Sequence, residues 1–144
     1  MSDQPRTPVD VQGHVAGDVP TVLPDASVAP VAAPEPPYHA VVFTSVRTEG
    51  DHGYAETAER MGELVREIPG FLGEDSARTP GGLGITVAYF RDPAAIEQWR
   101  TDLEHLAAQR HGREHWYETY SLHVAKVERS HTFLRGGGSG RAHG

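Results

Sequence analysis

The chain has 144 residues, a net charge of −7 and no cysteine, which suits one domain and excludes disulfides, cysteine-held iron–sulfur clusters, thiolate-ligated haem and thiol catalysis. It has no basic cluster and no apolar run long enough to span a bilayer, so neither nucleic acid nor a membrane is expected as partner. The acidic N-terminus lacks the apolar core of a secretory signal, and a cytoplasmic location is expected.

Residues 1–37 hold most of the 11 prolines, with Ala, Val and Asp between them and no lasting period. Such a segment buries too little to offset its ordering, and it is expected to be a disordered arm. Residues 38–134 form the folded domain, and the glycine-rich residues 135–144 a flexible tail. Tyr38 to Arg47 reads as the first strand, with Ala40-Val41-Val42-Phe43 apolar on both faces. Asp51 is placed to cap a helix, in which Tyr54, Ala58, Met61, Val65 and Ile68 form one stripe until Pro69-Gly70 stops it.

Phe71 to Thr79 reads as the second strand, Pro80-Gly81-Gly82 as a hairpin turn, and Leu83 to Phe90 as the third strand, again apolar on both faces. Asp92 caps a second helix, and Pro93 takes its first position, where a missing N–H costs nothing. Ile96, Trp99, Leu103, Leu106 and Arg110 carry its stripe, and Gly112 ends it. Trp116 to Val127 is the fourth strand.

The order β-α-β-β-α-β predicts an α+β, ferredoxin-like fold: a four-stranded antiparallel sheet with two helices on one face. The helices cover one face only, and the folded domain offers no third layer. A second copy packed sheet to sheet is the expected cover, so a homodimer is expected.

Several blocks then resemble a known family. They are Phe43-Thr44-Ser45-Val46-Arg47-Thr48, Ala58-Glu59-Arg60-Met61, Pro69-Gly70-Phe71-Leu72-Gly73, Gly82 to Phe90, Ile96-Glu97-Gln98-Trp99-Arg100, Glu104-His105, and Gly112 to Glu118. Over about residues 38–133 the chain resembles the antibiotic biosynthesis monooxygenase family of the dimeric α/β-barrel superfamily. That resemblance implies a pocket between helices and sheet in each subunit, with a tryptophan where Trp99 stands. Some members oxidise polycyclic aromatic substrates with dioxygen and no cofactor, and others bind and cleave haem. The first group carries an asparagine one turn before the tryptophan, where this chain has Ala95. The second carries a histidine ten residues after it, where this chain has Gln109, and an asparagine in the first strand, where it has Thr44 and Ser45.

The candidate catalytic residues are Trp99 and His105. Trp99 reads either as a core aromatic or, on the resemblance, as a pocket wall. His105 lies well round a continuous helix from Trp99, which suits a solvated histidine, and it is also the best haem-iron ligand or general base on that helix. Candidate substrate contacts are Phe43, Tyr89, Tyr120, Arg47 and His123. The tyrosines offer stacking and one hydrogen bond, Arg47 a charge for a carboxylate or enolate. His123 faces either the pocket or the dimer interior. His111 and His115 have the i, i+4 spacing of zinc ligands, but Gly112 is expected to break the helix between them, and no metal site is expected.

The implied function is monooxygenation of an aromatic or polyketide-like small molecule, with no cofactor. The competing expectations are a haem-binding or haem-degrading protein and a non-enzymatic small-molecule-binding dimer.

Overall fold

The structure, a computed structural model, describes residues 28–136 and 142–143. The disorder expected of residues 1–27 and most of the expected tail fall outside the described residues. Strands β1 (Tyr38–Arg47), β2 (Phe71–Arg78), β3 (Leu83–Phe90) and β4 (Tyr117–Val127) form an antiparallel sheet in the order β2-β3-β1-β4. The sheet carries α1 (Tyr54–Val65), α2 (Pro93–Arg100) and α3 (Leu103–His111). This is the expected ferredoxin-like arrangement, with the second helix in two pieces. A two-residue pair, β5 (Ser130–His131) with β6 (Ala142–His143), follows.

The β2–β3 hairpin closes where the glycines predict it. Gly82 N–H donates to the Thr79 carbonyl at 2.8 Å, and Gly81 takes φ +73°. Gly70 turns α1 into β2 at φ +95°, and a Cβ there would meet that of Ala95 at 2.9 Å. Both facts demand glycine: the backbone is left-handed, and α2 packs directly on the turn. Asp51 serves the start of α1 as expected, but from outside the cap position. Its carboxylate accepts from Gly53 and Ala55 N–H, at 3.0 and 3.1 Å, while Gly53 is the cap residue itself.

The expected continuous second helix is corrected. It stops at Arg100, and Asp102 starts a new one by accepting from His105 N–H at 3.0 Å. An aspartate competes well for backbone N–H groups at a helix start and poorly inside a helix, so it divides the stripe. Leu103, expected on that stripe, is 82% exposed. Gly112 caps α3 as expected, but the helical path does not stop there. The chain continues through a π turn, Gly112–Trp116, which brings Trp116 inward and delays β4 by one residue.

The core lies between the helices and one sheet face: Val65, Ile68, Phe90 and Ala95, with Val41, Phe71, Ala88, Ile96 and Trp99 against them. On the opposite face, residues 28–37, read as the end of the arm, give partial cover. Val31 N–H donates to Asp75 Oδ1 at 3.0 Å and Ala33 N–H to Thr132 Oγ1 at 2.7 Å. Arg91 reaches the carbonyls of Glu35 and Pro37. Beyond that strip Val42, Val46, Leu83, Ile85 and Val87 share the outer face by alternation, and Leu83 and Ile85 are exposed.

Candidate active site

A cavity of about 460 Å³ lies between the helices and the inner face of the sheet. Alternation accounts for most of the strand residues that reach it, with Ala77 and Ile85 of the opposite parity also on the lining. From β1 come Val41 and Phe43, from β2 Glu74, Ser76 and Arg78, from β3 Thr86 and Ala88, and from β4 Tyr120, Leu122 and Val124. The helices supply Tyr54, Met61, Trp99, His105 and Gln109 among others. Arg60 ties α1 to α3, its guanidinium gripping Glu104 at 2.9 and 3.2 Å.

Trp99 and His105 meet on this wall. Their rings stack with centroids 4.0 Å apart and planes 12° from parallel. On one continuous helix they would diverge; the break at Thr101-Asp102 folds His105 back over Trp99. His105 Nδ1 lies 2.9 Å from the Trp99 carbonyl. A carbonyl only accepts, so Nδ1 carries the proton and the neutral ring keeps its lone pair on Nε2. That nitrogen is the one titratable imidazole lone pair among the lining residues.

Burial pushes the pKa of His105 below its ordinary value, against the opposing pull of the Trp99 carbonyl and of Asp102. The unfolded chain therefore takes up this proton at a higher pH than the folded one does. The contribution of the neutral ring to stability is complete above about pH 6.5 and is lost as pH falls below it. Denaturation midpoints compared at about pH 7.5 and about pH 5.5 should show a smaller acid loss in His105→Gln than in the wild type. Equal losses would show that this ring titrates as freely folded as unfolded.

Aromatic side chains crowd the far end of the cavity. Phe43 lies 5.1 Å from Tyr120 and 5.4 Å from Tyr117, ring centre to ring centre, and Tyr54 meets Tyr117 edge-on at 6.0 Å. Burial, then Tyr54 beside it, holds the Tyr117 hydroxyl far above the ordinary tyrosine range, with Arg78 and Arg47 working against that shift. Glu74 opens onto the cavity from β2, and the atoms crowding its carboxyl raise its pKa against the pull of Arg66.

Of the expected site residues, Trp99, His105, Phe43 and Tyr120 come together. Three others do not. Tyr89 pairs with Ala40 across the strands and packs edge-on against Tyr38, on the outer face. His123 lies opposite Val42 on that same outer face and is exposed. Arg47 holds the loop before α1, donating to the carbonyls of Trp116, Gly50 and Asp51 with its guanidinium 3.7 Å above the Tyr54 ring. Sequence reading missed Glu74, Ser76 and Arg78, although their i, i+2, i+4 spacing on a strand was the available signal. Ala95 sits in the core, 3% exposed, with its Cβ packed close to Gly70. His111 and His115 stay close, with ring centres 4.4 Å apart. Among the described residues no group of three or more His, Cys, Asp or Glu is placed to hold a metal ion, and no helix is long and apolar enough to cross a membrane.

The family model for antibiotic biosynthesis monooxygenase matches residues 37–111. An uncharacterised Bacillus subtilis protein, YqjZ, is 54% identical over 100 residues, which are 69% of this chain and 88% of that protein. The fold is similar to that of SnoaB, a cofactor-independent oxygenase from Streptomyces nogalater. That match has a TM-score of 0.57 at 12% identity and covers 66% of this chain and 97% of SnoaB. It is also similar to protein SO0527 from Shewanella oneidensis, with a TM-score of 0.56 at 12% identity, covering 63% and 91%. With more than half of its length matched by the family model, the chain belongs to the antibiotic biosynthesis monooxygenase family.

Proposed function

We propose that this family member is a homodimeric, cytoplasmic oxygenase that oxidises a planar aromatic or polyketide-like small molecule with dioxygen, without a metal or organic cofactor. The observation that carries this reading is the cavity wall itself: Trp99 stacked on a histidine whose Nε2 is free to take a proton, opposite an aromatic cluster suited to a flat ligand. SnoaB, a cofactor-independent oxygenase by its own description, shares the fold and supports the absence of a cofactor.

The reaction balances without an added reductant. A ring methylene, activated by a neighbouring carbonyl, loses one proton to His105, and the resulting carbanion supplies electrons to dioxygen. One oxygen atom becomes a carbonyl on that carbon, and the other leaves as water with the methylene's two hydrogens. Trp99 holds the ring plane, and apolar side chains line the space around the carbanion. The test is oxygen uptake by metal-stripped protein with a panel of hydroxylated tricyclic ketones. A product that has gained one oxygen and lost two hydrogens is expected. A compound that binds tightly, is readily oxidised in solution and is not turned over faster by the protein would overturn the reading.

Haem binding is the second reading, and the free Nε2 of His105 is the observation in its favour, since a nitrogen anchored through Nδ1 is a competent iron ligand. Gln109 lines the cavity where haem-degrading relatives place histidine, and it offers no such nitrogen. A sharp Soret band with haemin, lost in His105→Ala, would move the conclusion to this reading.

The dimer rests on the uncovered outer face. Val42, Val46, Leu83, Ile85 and Val87 make an aliphatic strip on the face opposite the helices, and a second copy supplies the same strip in return. Sedimentation equilibrium at micromolar concentration should give two chains per particle, and Ile85→Lys, at a site already 44% exposed in one protomer, should give one folded chain. A monomeric wild type would remove the dimer.

A further inference from the structure

We propose that Arg78 is the substrate-anion subsite of this cavity, so that the ligand is a planar aromatic carrying an anionic oxygen at the end that meets β2. This rests on the cavity being the ligand site and names what the ligand must carry.

Arg78 stands at the end of β2, and its guanidinium lies back across β3 to β1. Nη1 donates to the Ser45 carbonyl at 3.4 Å and Nη2 to the Ser45 hydroxyl. Ser45 is 1% exposed, so the anchor is fixed while the guanidinium opens on the cavity. The path needs Gly84, the residue between Arg78 and Ser45 in the sheet register, because a Cβ there would overlap the guanidinium. A charged head held by neutral acceptors alone is a poor arrangement for stability: it gives up hydration and gains no counter-charge. Among the described residues no carboxylate pairs with it.

Three of its five N–H donors remain beyond the two bonds to Ser45. Beside it stand Phe43, Tyr117 and Tyr120, three rings within 6 Å of one another, a surface on which a flat ligand can lie. An anionic oxygen on that ligand would complete the guanidinium and bring charge-assisted hydrogen bonds. Glu74, two residues further along the same strand face from Ser76, bars a second anion at the other end, roughly 13 Å away at strand spacing. The polar wall therefore orients the ligand as well as selecting it: anionic end to Arg78, uncharged end toward Glu74 and Trp99.

The test uses the full chain and three probes of similar shape: 2-naphthoate, 2,4-dinitro-1-naphtholate and the neutral 2-naphthamide, followed by quenching of tryptophan fluorescence. Wild-type protein should favour at least one anion over the amide by about tenfold or more. Arg78→Gln should abolish that preference and leave the affinity for the amide unchanged, which a merely structural arginine would not do. The anion that loses more tells a carboxylate from a phenolate or enolate oxygen. Should that variant fail to fold, the guanidinium NMR signal of Arg78 in wild-type protein decides: it should shift with the favoured anion and not with the amide. Equal binding of anions and amide overturns the subsite alone, as does an unchanged preference in Arg78→Gln. Binding of none of the probes overturns the cavity reading with it.

Discussion

Trp116→Ala should cost the fold about 3–5 kcal/mol, the largest loss expected from a single substitution here. Trp116 is 5% exposed and closes the π turn against the loop before α1. Its indole N–H donates to the His52 carbonyl at 2.7 Å, and its own carbonyl receives Thr48 N–H at 2.9 Å and Arg47 Nε at 3.0 Å. Tyr54 and His111 pack edge-on against the ring. Alanine would leave a void the size of the indole and an unpaired carbonyl, and both penalties fall on the same site. Trp116→Phe separates them, since it refills much of the void and still leaves the His52 carbonyl without its donor. Denaturant midpoints of the two variants are the measurement. A loss below about 1 kcal/mol for alanine would mean that the turn relaxes freely and that the latch is unimportant.

The same substitution at Trp99 should behave differently. Both tryptophans line the cavity, but Trp99 is half-buried where Trp116 is 5% exposed and bonded through its indole N–H, so Trp99→Ala forfeits fewer contacts. A stability loss of about 1–2 kcal/mol is expected, well short of that at Trp116. Ligand binding should suffer more, by about tenfold or greater, because the stacking surface is gone and His105 loses the ring that holds its plane. Affinity for a flat aromatic and the denaturant midpoint, measured on both proteins, settle the comparison. A variant that loses several kcal/mol yet binds normally would make Trp99 a core residue and remove it from the site.

The two tryptophans show how far sequence alone reaches in this chain. Period and punctuation determined the elements. Strands β1 and β3 announce themselves as unbroken apolar runs, Pro80-Gly81-Gly82 closes a hairpin, and Asp92-Pro93 opens a helix, because each signal depends only on near neighbours. The family and its tryptophan were legible for the same reason, as blocks of adjacent residues.

Face and proximity were not legible in that way. Tyr89 and Tyr120 look alike along the chain, yet pairing with Ala40 turns one to the outer face while pairing with Ser45 turns the other into the cavity. One residue of register reverses every side chain on a strand, and only pairing fixes the register. His105 reads as a solvated helix residue until Asp102 breaks the helix and lays it on Trp99. Arg78 stands out from its strand only once three strands place Ser45 and Gly84 beneath it. In each case the sequence alone determined the residue's chemistry, and only the tertiary structure decided its neighbours, because contacts between distant segments depend on register, capping and packing together.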